Sequence, residues 1–183
     1  MAMPDSITHG RLTLERWRPH HAGPLADAAN ASLAELGQWL PWAAHGPIAT
    51  ESVASSIEAS ARRFDSGFDY EYAIIQSGEF LGCVALHAQS SDQRAEVGYW
   101  VRTDRTQRGV ATAAVVAVTT AAFRVLPEVR EVVIRLDAAN RASSRVAAKS
   151  GFRLERYEQR DVVTAGHTGL GEVWAVLRSE WQT

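Results

Sequence analysis

The stretch Thr106-Gln107-Arg108-Gly109-Val110-Ala111-Thr112 decides the fold, because it joins two segments of different periodicity. Before it, Glu96-Val97-Gly98-Tyr99-Trp100-Val101 is short, apolar and aromatic, which is typical of a strand. After it, small apolar residues recur at steps of three and four as far as Val125, which is the period of a helix. The unit is therefore a strand, a glycine-containing loop and a helix.

The loop of this unit has features of an anion-binding site. The first amides of a helix have no partner within it and lie at its positive end, so an anion there accepts several of them. Gly109 permits a close backbone approach, Ala111 adds little bulk, and Arg105 and Arg108 supply positive charge. An ordinary strand-to-helix turn has a similar composition, so the loop alone does not decide between the two interpretations.

A second motif follows further along the chain. Asn140 is a suitable N-cap for a helix. Gly151 stands eleven residues later, and with Phe152 after it the pair is typical of a helix end. The order and spacing of the two motifs are more specific than either motif alone.

The two motifs together resemble the GNAT N-acetyltransferase family. Many members carry Gln/Arg-x-x-Gly-x-Gly/Ala at the loop, and Gly109 and Ala111 match its last two positions, whereas Thr106 replaces the usual Gln or Arg. Many also carry Asn with Gly-Phe at the second spacing. The segment from Glu96 into the Ala-rich helix is similar to the branch that contains ribosomal-protein Ala/Ser N-terminal acetyltransferases.

This resemblance implies acetyl-CoA as co-substrate, with loop amides holding its pyrophosphate. Relatives bulge the central strand beside the thioester, so the amides of residues 98–101 are expected to stabilise the oxyanion. The implied cofactor-binding residues are Tyr99, Trp100, Val101, Gln107, Arg108, Gly109, Val110, Ala111, Thr112, Asn140 and Ser143.

Two residues are candidates for catalysis. Many relatives place a Tyr seven residues after the Asn to protonate the leaving thiolate, but that position is Ala147 here. In the ribosomal-protein branch a Ser three residues after the Asn takes this role, which points to Ser143; its alternative role is a hydrogen bond to a backbone amide. Glu96 is the candidate base, directly or through a water, and its alternative is a solvated strand-end carboxylate.

Other polar residues receive weaker roles. Glu172 is a second, less favoured candidate base, whereas Asp137 and Glu155 are predicted to be structural. His20 and His21 are adjacent, so they point to different sides of a helix and form a poor metal pair. We interpret both histidines as surface residues, with the alternative that one of them lines the acceptor pocket, and predict no metal site.

The acceptor site is expected near Gln38-Trp39-Leu40-Pro41-Trp42. Pro41 disfavours helix at Leu40, so this segment predicts a loop with two large aromatic side chains. Trp39 and Trp42 either pin the loop to the core or line the acceptor pocket. A similar element occurs in the ribosomal-protein branch.

The whole pattern predicts an α/β (α+β) chain with the GNAT fold as a single domain over residues 1–183. We expect a mixed, mostly antiparallel sheet of about seven strands with a parallel central pair, flanked by about four helices. The parallel partner of residues 97–101 is the strand after Pro127. Strands are predicted at 12–17, 70–75, 79–88, 96–101, 129–136, 152–163 and 171–177, and helices at 25–36, 50–66 with Thr50 as N-cap, 110–125 and 140–150; residues 90–93 form a turn.

Composition excludes several classes of protein. A chain of 183 residues can bury a sizeable core, and its net charge of −2 does not indicate a nucleic-acid or membrane partner. No apolar run approaches the roughly 18 residues that span a bilayer, and no signal-peptide core is present. The single cysteine, Cys83, lies in an apolar strand and excludes an internal disulfide framework. We expect a cytoplasmic monomer or homodimer.

The predicted reaction is acetyl transfer from acetyl-CoA to a primary amine, with a protein N-terminus beginning with Ser, Ala or Thr as the expected acceptor. A chain-terminal amine has a pKa of about 7.7–8.0 and a lysine about 10.4, so the terminal amine needs less help from a base. One alternative is a small-molecule acceptor such as a polyamine, amino acid or antibiotic. Another is a non-catalytic acyl-CoA sensor, against which the pair Asn140 and Ser143 argues.

Overall fold

The computed structural model describes residues 2–89 and 93–182. Within them, eight strands form one sheet: β1 Ser6–His9, β2 Leu12–Arg16, β3 Asp69–Gln76, β4 Glu79–Gln89, β5 Arg94–Val101, β6 Glu131–Asp137, β7 Arg153–Gln159 and β8 Leu170–Leu177. The spatial order is β1-β2-β3-β4-β5-β6-β8-β7. Only β5 and β6 pair in parallel among these neighbours, so the predicted mixed sheet with a parallel central pair is confirmed.

Five α-helices accompany the sheet in the described residues: α1 Ala22–Asn30, α2 Leu33–Leu36, α3 Thr50–Ser66, α4 Val110–Val125 and α5 Arg141–Lys149. The predicted N-cap of α5 is confirmed, because the Asn140 side chain accepts the Ser143 amide at 3.1 Å. Its predicted end is confirmed as well, since Gly151 has φ 88° and the Phe152 amide reaches the Ala147 carbonyl. None of the helices in the described part of the chain is both long and apolar enough to cross a membrane.

Several predicted boundaries were wrong for local reasons. Strand β1 was missed because its residues are mostly exposed and lack an alternating apolar pattern. The single helix predicted at 25–36 starts earlier and is divided at Ala31 and Ser32 into α1 and α2. Thr50 is the first residue of α3, whose N-cap is Ala49 without a side-chain cap. Residues 90–92 of the predicted turn lie outside the described residues.

The sheet carries a different core on each face. The first core joins the sheet to α4 and α5 and includes Ala95 and Val97 of β5. The second joins it to α1 and α3, and Trp100 packs against it. Because side chains alternate along a strand, Tyr99 lies on the first face, whereas Glu96 and Gly98 lie on the second with Trp100.

Strands β5 and β6 pair over only three residues each. Their register runs from Arg94 with Glu131 to Glu96 with Val133, whereas β5 keeps its pairing with β4 as far as Val101. The predicted parallel partner of the central strand is therefore confirmed, but the paired residues are 94–96 and not 97–101, because β6 diverges after Glu96. No strand in the described part of the chain pairs with the second half of β5 on this side, so its edge is free there; we refer to the space between the two strands as the β5–β6 gap.

The expected bulge in residues 98–101 was also wrong. Strand β5 pairs one-to-one with β4, and the irregularity lies instead between β3 and β4, near Ile74. The amide of Arg102 donates to the Leu81 carbonyl of β4 at 2.8 Å. Since backbone direction alternates along a strand, the N–H and C=O groups of Tyr99 and Val101 point the other way, into the gap.

A carboxylate fixes the loop between β7 and β8. Asp137 accepts hydrogen bonds from the Thr168 amide at 2.8 Å, the Thr168 hydroxyl at 2.9 Å, and the amides of Ala139 and Gly169 at 2.9 and 3.3 Å. Burial disfavours the charged form of Asp137 and by itself would raise its pKa. The hydrogen bonds from these groups favour the charged form more strongly, so the pKa of Asp137 is lowered. The predicted structural role of Asp137 agrees with these contacts.

We predict that Gly82→Ala destabilises the fold. A Cβ on Gly82 lies 2.2 Å from the Trp100 carbonyl oxygen and 2.8 Å from the Val101 Cα, and both are backbone atoms that cannot rotate away. Overpacking of this kind costs about 1–3 kcal/mol or more, measured as the free energy of unfolding in urea. Gly23→Ala is the control: it lies in a helix with nothing within 4 Å, so its stability should not fall. Equal stabilities would contradict the close approach of β4 and β5.

We predict that Asp137→Asn costs about 1–3 kcal/mol at neutral pH, because it weakens hydrogen bonds to a charged acceptor. The folded-state pKa of Asp137 is lowered, so its contribution is present above the unfolded pKa of about 3.9 and is lost as pH falls through the folded value. Urea unfolding of both proteins between neutral and acidic pH tests this. The difference in unfolding free energy between the two proteins should shrink in acid. A difference that stays constant with pH would show that the charge of Asp137 is not its cause.

Candidate functional site

The loop before α4 turns its backbone amides outward. Gln107 and Gly109 both have left-handed conformations, with φ of 60° and 78°, and Gly109 is the N-cap of α4. The first helical hydrogen bond runs from the Ala113 amide to the Gly109 carbonyl, so the amides of Val110, Ala111 and Thr112 precede the helical pattern. This geometry suits an anion at the helix N-terminus.

The positive charges near this loop differ in availability. Arg105 is held by Glu79 at 2.6 Å and Asp104 at 2.8 Å, so its charge is compensated. Arg108 is exposed and forms no ion pair with any residue in the described ranges. Thr106, the departure from the family motif, donates its hydroxyl to the Thr103 carbonyl at 2.9 Å. Arg108 is thus the arginine of this loop that remains available to an anion.

Ser143 meets a tyrosine from the central strand. The Tyr99 hydroxyl lies 2.8 Å from Ser143 Oγ and 3.2 Å from the Ser143 carbonyl oxygen. Burial raises the pKa of Tyr99 to about 12, although the hydrogen bond with Ser143 opposes this, so the phenol stays protonated at neutral pH. A hydroxyl from β5 and a hydroxyl from α5 therefore lie together at this point. Sequence patterns missed this contact, because the two residues are distant in the chain.

Glu96 lies on the opposite face of β5 and is not a free strand-end carboxylate. Its Oε2 is 2.5 Å from Nη1 of Arg135 on β6, and Arg135 also approaches Glu158 at 3.7 Å. This ion pair joins β5 to β6 at the point where the two strands diverge. Glu96 therefore lies at the mouth of the β5–β6 gap.

Glu172 and Glu155 face other partners. Glu172 is buried and accepts hydrogen bonds from the hydroxyl of Ser144 and the indole N–H of Trp174, both at 2.8 Å. It thereby fixes the first turn of α5. Glu155 is exposed and pairs with Arg156 at 2.5 Å. These contacts give Glu172 a structural reason for its burial.

The two tryptophans of the loop after α2 lie in different environments. The Trp42 ring is 5.8 Å from the Trp100 ring and is 41% exposed. The Trp39 carbonyl lies 3.2 Å from Nε2 of His167. The preceding carbonyl, of Gln38, accepts the Thr164 hydroxyl at 2.7 Å, so this loop is pinned to the β7–β8 loop. Trp42 and Trp100 together form an aromatic wall beside Gly98.

The structure groups the predicted cofactor residues into two sets. The first set faces the gap or the α5 side and consists of Tyr99, Val101 and Ser143. The second set lies at two helix N-termini, with residues 107–112 at the start of α4 and Asn140 at the start of α5. Trp100 differs, because its side chain joins Trp42 and its backbone points towards β4. Trp100 therefore belongs to the same side of β5 as the expected acceptor pocket.

The histidine pair lies apart from this site. His21 is buried, so its prediction as a surface residue was wrong, whereas His20 is exposed. Ligand atoms of Glu15, His20 and His21 lie within 4.8 Å of one another. However, Nδ1 of His21 accepts the Arg18 amide at 3.0 Å, which places the proton on Nε2 and leaves neither nitrogen free for a cation. Burial and the neighbouring His20 lower the pKa of His21.

Known proteins resemble this chain in sequence and in fold. The chain is 29% identical over 175 residues to a Bacillus subtilis (strain 168) protein named "Putative ribosomal N-acetyltransferase YdaF", covering 93% of each chain. Among solved structures, RimL, a ribosomal L7/L12 alpha-N-protein acetyltransferase in complex with coenzyme A, has a TM-score of 0.87 at 22% identity and covers 94% of this chain and 97% of its own. Mycobacterium smegmatis RimJ, in complex with CoA-disulfide, has a TM-score of 0.88 at 23% identity and covers 100% and 93%.

These structural likenesses show the fold, and the family follows from the sequence. The Acetyltransferase (GNAT) domain family matches residues 11–153, which is most of the chain and includes the loop, the β5–β6 gap and α5. The protein is therefore a member of the GNAT acetyltransferase family.

Proposed function

We propose that this protein transfers the acetyl group of acetyl-CoA to the α-amine of a protein N-terminus that begins with Ser, Ala or Thr. One observation carries the proposal: the free edge of β5 lies between an anion-binding helix start and the Tyr99–Ser143 hydroxyl pair. These three features correspond to the pyrophosphate, the thioester arm and the leaving sulfur of acetyl-CoA. The names of YdaF and RimL support the acceptor class.

The loop residues hold the cofactor through their backbone. The amides from Gln107 to Thr112 and the charge of Arg108 bind the pyrophosphate, since Gly109 adopts the left-handed conformation that points them outward. The free backbone groups of Tyr99 and Val101 pair with the amide groups of the thioester arm. Asn140 caps α5 and so fixes the position of Ser143.

The chemistry follows from this alignment. Holding the thioester beside the amine replaces a bimolecular encounter, which supplies much of the rate. Attack places negative charge on the thioester oxygen, and a backbone amide in the gap stabilises that charge. When the C–S bond breaks, the thiolate takes a proton from the Tyr99–Ser143 pair. The raised pKa of Tyr99 keeps its proton in place until that step.

The acceptor approaches on the other face of β5. Gly98 and its cross-strand partner Ala85 are small and form a floor between Glu96 and the Trp42–Trp100 wall. Glu96 attracts the ammonium group of the acceptor. A terminal amine suits this site, because its pKa of about 7.7–8.0 leaves much of it neutral near pH 7–8.

The direct test is to incubate the protein with acetyl-CoA and an acceptor panel and to read product masses. The panel holds peptides that start with Ser, Ala, Thr or Met, internal-lysine peptides, polyamines and aminoglycosides. Acetylation of the Ser, Ala or Thr peptides is expected. Acetylation of a small amine alone would instead favour the small-molecule acceptor, and acetyl-CoA binding without any product would favour a sensor.

We predict that Gly109→Asp weakens acetyl-CoA binding by about tenfold or more, because it adds negative charge beside the pyrophosphate. Gly109→Asn is the matched control: it has the same shape without the charge, and Asn tolerates the left-handed conformation. No atom lies within 4 Å of a Cβ at this position, so neither variant is blocked sterically. Calorimetric Kd values should separate the two variants; equal values would count against the pyrophosphate assignment.

We predict that Ser143→Ala lowers kcat by about 10- to 100-fold while the Kd for acetyl-CoA changes little, because it removes a proton donor for the thiolate. Tyr99→Phe should have a similar effect, since the two hydroxyls form one pair at 2.8 Å. Lys149→Ala is the control, because Lys149 is exposed at the other end of α5. Steady-state rates with an active acceptor peptide test this prediction. Full turnover by Ser143→Ala would exclude Ser143 from the mechanism.

A further inference from the structure

Three ionisable side chains stand in a row on the acceptor face of the sheet. Asp69 of β3 lies directly opposite His87 of β4, and His87 lies directly opposite Glu96 of β5. Directly paired residues share a face, so all three project to the side of Gly98 and Trp100. The row continues at both ends into arginines, with Arg63 of α3 beside Asp69 and Arg135 of β6 beside Glu96.

The contact between Asp69 and His87 fixes the tautomer of the imidazole. Nδ1 of His87 lies 2.8 Å from Oδ1 of Asp69. An ionised carboxylate only accepts hydrogen bonds, so in the neutral imidazole Nδ1 carries the proton and Nε2 has the lone pair. The other carboxylate oxygen of Asp69 is 3.0 Å from Nε of Arg63, which holds it in this orientation. The neutral form of the ring therefore presents the lone pair of Nε2.

Nε2 of His87 faces the small floor of the site. A Cβ built on Gly98 lies 4.0 Å from this nitrogen, so the ring stands against the strand where β5 has no side chain. Gly98 lies two residues after Glu96, where β6 has already left β5. Nε2 is thus directed to the part of β5 that borders the gap.

The neighbouring carboxylate has a different partner. Oε2 of Glu96 is engaged by Arg135 at 2.5 Å, whereas no ion pair in the described ranges engages Nε2 of His87. The other charged groups on this face of the neighbouring strands are Glu71 on β3, which pairs with Arg63 at 2.8 Å, and Arg94 on β5, which pairs with Glu131. His87 is 42% exposed at its side chain and remains accessible to an acceptor.

We propose that His87, oriented by Asp69, is the general base that takes the proton of the acceptor amine, while Glu96 attracts the ammonium group. This inference rests on the proposed acetyl transfer. Imidazole is the side chain that exchanges protons near neutral pH, and a carboxylate on Nδ1 is the usual means of orienting it.

The protons and bonds balance as follows. The ammonium group gives one proton to Nε2 of His87, which later passes it to solvent. The amine nitrogen forms the C–N bond to the acetyl carbon, and the C–S bond breaks. The thiolate takes a proton from the Tyr99–Ser143 pair, and the second proton lost by the nitrogen replaces it through solvent. The products are the amide, coenzyme A and one released proton.

The test is the pH dependence of kcat/KM with an active acceptor peptide, for wild type, His87→Gln, Asp69→Asn and Glu96→Gln. His87→Gln should lower kcat/KM by about 10- to 100-fold near pH 7, with the deficit shrinking at high pH, where the amine is already neutral. Asp69→Asn should give a smaller deficit with the same pH trend. His9→Gln, at the far edge of the sheet on β1, is the matched control and should equal wild type.

Two further measurements distinguish a catalytic role of His87 from a purely structural one. The Kd for acetyl-CoA and the Tm of His87→Gln should stay near wild type. In addition, free imidazole should restore part of the lost rate to His87→Ala, because it supplies a base in the vacated volume.

Each outcome decides. Unchanged kcat/KM of His87→Gln across pH would overturn the assignment, and so would a loss that is constant with pH and not rescued by imidazole. Loss in Glu96→Gln alone, with the same pH trend, would assign the base to Glu96 instead. A wild type that acetylates nothing would overturn the proposed function itself and this inference with it.

Discussion

The parallel pairing of β5 and β6 stops after Glu96, and the rest of the site depends on that divergence. A central strand in a sheet normally satisfies both of its edges, so a free edge inside a fold is a place where another backbone-like group can bind. Because β5 stays paired with β4 as far as Val101, the strand remains rigid on one side while the other is open. An extended chain with amide groups, such as the arm of coenzyme A, has the hydrogen-bonding pattern that this edge lacks.

The alternation of β5 then divides the reaction between two faces. Tyr99 points to α5 and meets Ser143, whereas Glu96, Gly98 and Trp100 point to the side of α1 and α3. In the proposed reaction, the hydroxyl pair that serves the leaving sulfur and the face that receives the amine lie on opposite sides of one strand. The proposed proton donor and proton acceptor are thus kept apart, and each can have the protonation state that its step needs.

Local signals in the sequence predicted the parts of the site that short segments build. The loop around Gly109 and the cap at Asn140 depend on neighbouring residues, and both are present as expected. The pairs Tyr99–Ser143 and Asp69–His87 depend on strand register and helix docking, which no local period encodes. The same is true of the burial of His21 and of the point at which β6 leaves β5. A pattern can indicate that two strands are parallel, but it does not encode the length of their pairing.

The ion pair of Glu96 and Arg135 shows how the open edge is held in place. It crosses from β5 to β6 at the last paired residue, so it ties the strands together where their backbone hydrogen bonds end. Two further carboxylates fix neighbouring segments. Glu172 fixes the first turn of α5 through Ser144, and Asp137 fixes the β7–β8 loop, which in turn holds Gln38. A carboxylate engaged in spanning the gap cannot also move freely with an acceptor. Nε2 of the neighbouring His87 is not engaged by an ion pair in the described ranges, so His87 is better placed than Glu96 to accept a proton.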